Sequence, residues 1–393
     1  MFGTSVDIKI AFFINPVMAH HKLKIRPVVP RERFHHQTPI HAHGTMFSIP
    51  SFSVSQHWVT PPLASPLAIL KAEMLAQQSI NQDDIPVSQA AIQADSVGVK
   101  TMVEPQDLKR QKGPIKDERM IHGLTFDIEE HFQVAAFDSL ARRRHWETLE
   151  SRVERNTQIL LDVLAERGIT ATMFVLGWIA ERNKGLIRRI VDAGHELASH
   201  GYGHELITVH NPRTFREDIS RTKHLLEDIA GQEVFGYRAP TFSIIKETEW
   251  ALPIIVEEGY RYDSSIIPSD HDFIGIPGTN PWIHQIPTSA GPLWEIPPST
   301  YDWAGFKITV ASGIIFRLFP YFVFRQLIRY FESQGHPLIM HLHPWELDPE
   351  QPRMRGTSLS QFRHYLNLNK VQSRLTQLLQ DFSFGPIHNL ITQ

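Results

Sequence analysis

From Met120 to the C-terminus, short apolar runs alternate with stretches whose apolar residues recur at helical spacing. The runs at Ile121–Ile128, Thr170–Leu176, Gly194–Ser199, Val234–Arg238, Tyr260–Ser264, Leu293–Ile296 and Pro337–His343 read as strands. Between and after them, Arg152–Arg167, Trp178–Asp192, Thr214–Ala230, Lys246–Glu258, Phe316–Ser333 and Leu359–Leu379 read as amphipathic helices. Such alternation predicts parallel strands joined by crossover helices, and about seven units favour an α/β fold closed into a (β/α) barrel. Residues 1–119 differ: they are rich in Pro, Ser and Gln, carry scattered histidines and show neither period. They are expected to form a poorly ordered extension with at most a helix near Ala64–Ile80, leaving 120–393 as one folded domain.

In such barrels the chemistry sits at the carboxyl ends of the strands. Asp127, His200, Arg238, Asp263 and His343 each fall at or just past the end of a different predicted strand. Five polar groups converging on one rim are the main physical argument for a site.

The segment His200-Gly-Tyr-Gly-His204 follows a strand, and its glycines place the histidine pair on a loop. With a carboxylate from Thr125-Phe-Asp-Ile-Glu-Glu130, two imidazoles leave an open coordination position, as a hydrolytic metal requires. Asp127 and Glu129 would leave a regular strand on the same face, so one can act as ligand and the other as base. The plainer readings are a solvated strand end and two loop histidines. His341 and His343 form another same-face pair, with Pro344 ending the strand at His343. Arg238 is placed to hold a carboxylate ionised, or else to make an ordinary ion pair. Trp282, Trp294, Tyr301, Trp303 and Trp345 offer aromatic surface to sugar rings or to the core.

Composition narrows the chemistry. The 393 residues contain no cysteine, so disulfides, thiolate ligands and a cysteine nucleophile are excluded. A net charge of −3 gives no reason to expect a nucleic-acid partner. Ile8–Val17 lacks a basic lead-in and a cleavage site, and Ile308–Phe324 is broken by Arg317 and Pro320. The expectation is a protein without a membrane span, in the cytoplasm.

Six blocks in order, Leu124-Thr-Phe-Asp-Ile-Glu-Glu-His-Phe-Gln133, Ser199-His-Gly-Tyr-Gly-His204, Tyr237-Arg-Ala-Pro-Thr-Phe-Ser243, Tyr262-Asp-Ser-Ser265, Phe316-Arg-Leu-Phe-Pro-Tyr321 and His343-Pro-Trp-Glu346, resemble the polysaccharide deacetylase family. These are the NodB-homology carbohydrate esterases of family four, and the likeness is to the branch associated with exosortase and exopolysaccharide loci. It implies a distorted β/α barrel and metal-dependent removal of N-acetyl groups from amino sugars of a polysaccharide. It also implies roles: Asp127 as catalytic base, Glu129, His200 and His204 as metal ligands, Arg238 as partner of the base, and His343 as general acid. Asp263 matches the carboxylate that tunes the acid, and Thr241 falls where a backbone N–H meets the oxyanion.

Three departures leave alternatives open. Glu130 is a rival metal ligand, Gly201 replaces a common Ser or Thr, and His341 competes with His343 for the acid. Zinc is the expected metal, with Fe(II) or Co(II) suited to the same ligands. The expected partner is an N-acetylated polysaccharide or oligosaccharide. Competing readings are a small-amide hydrolase on the same fold and a non-catalytic carbohydrate-binding protein.

Overall fold

β1 (Ile121–Ile128) is the strand around which the rest is organised. Its alternation separates two environments: Leu124, Phe126 and Ile128 join the large helix-covered core, while Thr125 and Asp127 point the other way. The computed structural model describes residues 120–134, 137, 143–268, 275–303 and 306–391. The extension at 1–119 and its expected helix near 64–80 lie outside the described residues.

All seven strands expected from the sequence are present: β1, β2 (Thr172–Val175), β3 (Glu196–Ser199), β4 (Gly236–Tyr237), β5 (Tyr262–Asp263), β7 (Gly291–Glu295) and β10 (Ile339–Leu342). They pair in parallel in the order β10-β1-β2-β3-β4-β5-β7, and β6 (His284–Thr288) adds antiparallel to β7. β11 (Ser383–Gly385) pairs with the first residues of β1. The hairpin β8 (Thr300–Trp303) and β9 (Phe306–Thr309) leaves the rim. At its base, Ser299 N–H donates to Ile339 O at 3.4 Å and His341 N–H to Ala311 O at 2.9 Å. These single bridges draw the ends of the sheet together, making a distorted (β/α) barrel.

The inner face holds a small second core of Phe174, Ala198, Tyr262, Ile296, Ile339 and Ile387. A Cβ on Gly236 would lie 2.1 Å from the Tyr262 hydroxyl, so β4 needs glycine there to admit that ring. Above this apolar plug the inward residues turn polar, and the site begins.

Helices cover the outer face: α1 (Val153–Ala165), α2 (Gly177–Arg182), α3 (Lys184–Asp192), α4 (Pro212–Ala230), α5 (Ala251–Glu257), α6 (Gly313–Leu318), α7 (Tyr321–Ser333), α8 (Ser358–Tyr365) and α9 (Val371–Asp381). Three expected helices are each two. Asn183 divides α2 from α3, and Pro320 divides α6 from α7 because its ring cannot continue a helix. Asn367, left-handed at φ 50°, separates α8 from α9. Among the described residues, no helix is long and apolar enough to cross a membrane.

Candidate active site

Arg238 follows β4 and is fully buried, its guanidinium lying 4.0 Å over the Phe174 ring at the top of the inner core. Nη1 donates to Asp127 Oδ1 at 2.7 Å and to Thr125 Oγ1 at 2.8 Å, while Nε and Nη2 donate to the backbone and side chain of Ser264. Burial by itself would push the Asp127 carboxyl up. Arg238 outweighs it, helped by His200, His341 and His343, and holds the group well below the usual carboxylate range. Asp127 is therefore an ionised carboxylate with Oδ2 turned to the cavity side.

Glu129, His200 and His204 come together just above it. One donor atom from each lies within 4.8 Å of the others, and all three side chains are buried. His200 Nδ1 donates to the Arg238 carbonyl at 2.9 Å, which leaves Nε2 free to face the cluster, 3.9 Å from Asp127 Oδ2. Burial lowers its pKa to about 4, keeping the imidazole neutral. His204 is left-handed at φ 52°, and its carbonyl accepts from Arg143 at 2.7 Å. The loop is fixed below by Tyr202 N–H on the Asp218 carboxylate and by Gly201 O and Tyr202 O, which accept from the first residues of α2.

Two imidazoles and a carboxylate fit a divalent cation by donor type. A second observation supports that fit. Glu129 Oε2 is buried and lies 2.9 Å from His204 Nε2. A cation shared by Glu129 Oε2 and His204 Nε2 would satisfy both atoms in this buried place. Burial opposes ionisation of Glu129, but His204, His343 and His200 outweigh it and depress its pKa.

Glu130, the rival ligand, is placed elsewhere. Its carboxylate accepts from Ser151 Oγ at 2.5 Å and from the backbone N–H of Arg152 and Val153 at 3.0 and 3.2 Å. It caps the start of α1, where the helix offers unpaired N–H groups and positive potential.

His343 stands just beyond β10. Its Nδ1 is 2.9 Å from Glu346 Oε1, and Nε2 lies 3.6 Å from Glu129 Oε1. Burial would lower its pKa, but the Glu346 hydrogen bond, with Glu129 and Asp127, raises it to about 9. Glu346 in turn accepts from Arg317 Nε at 2.7 Å. The expected partner of His343 was Asp263, and the structure corrects this. Asp263 accepts from Ser265 and shares a bond with Glu295, its register neighbour on β7, whereas Glu346 is the carboxylate on the His343 ring. Strand register directs Asp263 toward β7. The 3-10 turn Pro344–Leu347 folds Glu346 back onto His343.

His341 sits one pleat deeper, in register with Thr125, its ring edge-on to Phe242 at 4.9 Å. Thr241 and Phe242 are both left-handed, at φ 56° and 54°. Strain of that kind costs on the order of 1–3 kcal/mol per residue and tends to collect at functional sites. Trp345 is buried, stacks on His343 and donates through Nε1 to Glu129 Oε1 at 3.3 Å, so it is wall and not sugar platform. Trp282 stacks on His336.

Comparison with known proteins follows this geometry. Residues 121–261 match the family model described as polysaccharide deacetylase, and residues 264–392 match one described as a domain of unknown function (DUF3473). The chain is 29% identical over 111 residues to a peptidoglycan deacetylase of Helicobacter pylori, covering 28% of this chain and 37% of that one. It is 31% identical over 96 residues to a peptidoglycan-N-acetylglucosamine deacetylase of Bacillus cereus, covering 24% and 35%. The chain thus spans about a third of the length of these curated relatives. A crystal structure of a putative polysaccharide deacetylase from Mycobacterium smegmatis aligns at TM-score 0.48 and 21% identity, over 68% of this chain and 87% of that one.

Proposed function

Because the chain carries a polysaccharide deacetylase domain at residues 121–261, we propose that it hydrolyses N-acetyl groups on amino sugars of a polysaccharide, within exopolysaccharide biosynthesis in the cytoplasm. The observation that carries this reading is the position of Glu129 between two histidine sets, with Oε2 2.9 Å from His204 and Oε1 3.6 Å from His343. Ligands, base and acid then surround one small volume.

Glu129, His200 and His204 would hold a divalent cation, zinc by donor type, which when bound supplies Lewis acidity and lowers the pKa of water. Asp127, kept ionised by Arg238, takes the proton from the attacking water. The backbone N–H of Thr241 shares the charge that develops on the acetyl oxygen. His343, its Nδ1 anchored by Glu346, presents Nε2 to the amide nitrogen and gives it the proton that lets the amine depart. The products are acetate and a free amino sugar.

Acetate release from N-acetylated oligosaccharides, measured with and without chelator and after zinc is restored, tests the reading. Chelator-sensitive, zinc-restored release is expected. No release from any amino-sugar oligomer by metal-replete protein would overturn it. Cell fractionation tests the compartment.

A further inference from the structure

Beside the ligand trio lies another set of metal-type donors. One atom from each of Asp127, His341 and His343 lies within 4.8 Å of the other two. His341 transfers no proton in the reaction described above, yet it is under 10% exposed and its Nδ1 is buried without a hydrogen-bond partner. Leaving a buried polar atom unpaired costs roughly 1–3 kcal/mol, so this ring is not held by its surroundings in a hydrogen-bonded role at Nδ1.

The other two members also keep a donor atom in hand. Asp127 uses Oδ1 on Arg238 and retains Oδ2. His343 uses Nδ1 on Glu346, the carboxylate-to-histidine support that commonly orients a metal-bound imidazole, and its Nε2 becomes a ligand when the cation displaces the proton carried there to solvent. We propose that Asp127, His341 and His343 form a second, inhibitory divalent-cation site. Two imidazoles and one carboxylate select borderline ions such as Zn²⁺, Co²⁺ or Ni²⁺ over Mg²⁺ or Ca²⁺.

Affinity at this site is the lower of the two. Arg238 already neutralises Asp127, and a cation on Glu129, His200 and His204 repels its neighbour across the 3.9 Å between Asp127 Oδ2 and His200 Nε2. Filling therefore takes excess metal, and it removes proton acceptor and proton donor together. The inhibitory consequence rests on the deacetylase reading, whereas the binding stoichiometry does not.

The test uses full-length protein stripped of metal and titrated with zinc chloride, with calorimetry and elemental analysis as readouts. His341→Leu is expected to bind one equivalent fewer than wild type, and the same difference should persist when His200→Ala and His204→Ala have removed the first site. In acetate release, the ratio of rate at excess zinc to rate at one equivalent should rise at least tenfold in His341→Leu. His341→Gln, which keeps a polar side chain, serves if the leucine variant does not fold. Equal zinc stoichiometry in wild type and both variants overturns the site, whatever the activity assay shows. A second equivalent that binds but leaves turnover unchanged, or raises it, overturns the inhibitory role.

Discussion

Arg317 donates through Nε to Glu346 Oε2 at 2.7 Å with both side chains buried, while the other oxygen of the same carboxylate holds His343. Arg317 also spans to the carbonyls of Arg363, His364 and Leu366, so the acid end of the site is braced by the C-terminal helices. Gly313 is required here, since a Cβ on it would lie 2.0 Å from both Glu346 oxygens. Glu346→Ala should destabilise the fold by about 3–5 kcal/mol by leaving the buried Arg317 charge without its carboxylate. Gly313→Ala should displace the carboxylate and lower kcat. Denaturant unfolding and acetate release check both, and wild-type kcat in Gly313→Ala would show that Glu346 does not orient the acid.

Asp127→Asn should retain bound metal and lose about 10²–10⁴ in kcat, the usual worth of a positioned proton-transfer group. Turnover near wild type would remove Asp127 from the role of base.

His200→Ala and His204→Ala should each lose the tightly bound metal, as read by elemental analysis. Glu130→Gln should keep it and lower stability by about 1 kcal/mol, because Glu130 serves the N-terminus of α1. Metal loss in Glu130→Gln would reverse the assignment of the two neighbouring glutamates.

Asp263 and Glu295 form a carboxyl pair that burial pushes to raised pKa values. A raised native pKa means that the folded state binds more protons than the unfolded chain. The pair's stabilising contribution is thus complete below about pH 4 and is lost as pH rises through the native values. Glu295→Gln should be more stable than wild type at pH 8, and the gain should vanish near pH 4. Unfolding free energies measured across that range decide it, and a gain independent of pH would contradict the linkage.

A chain beginning at Met120 should fold and keep its activity, because every strand and site residue described here lies downstream. A sharply lower melting temperature would show that the preceding segment packs against the barrel.

Period and strand ends made seven of the eight parallel strands legible, along with the rim positions of Asp127, His200, Arg238, Asp263 and His343. The remaining strands were not. β6 pairs antiparallel with β7 and β8 with β9, with no helix between them to mark the alternation, and β11 is a short strand after the last helix. Helix breaks at Asn183 and Asn367 depend on single residues that periodicity overruns. The resemblance pairs Asp263 with His343, and only cross-strand register, which a sequence does not show, sets Asp263 against Glu295. Glu346 was visible as part of His343-Pro-Trp-Glu346, yet only the turn after Pro344 reveals that its carboxylate returns to the histidine.

Trp345 reaches Glu129 across 216 residues of chain, because β10 docks beside β1. During synthesis, the ribosome has delivered Glu129, His200 and His204 long before it delivers His343. Pairing so distant in sequence is a slow step in folding. If Glu129, His200 and His204 hold a cation as proposed, all three donors are made before His343 and before β10, the strand that sets His343 beside β1. On that reading, metal loading and hydrolytic competence would be separable in time by the order in which the polypeptide is made.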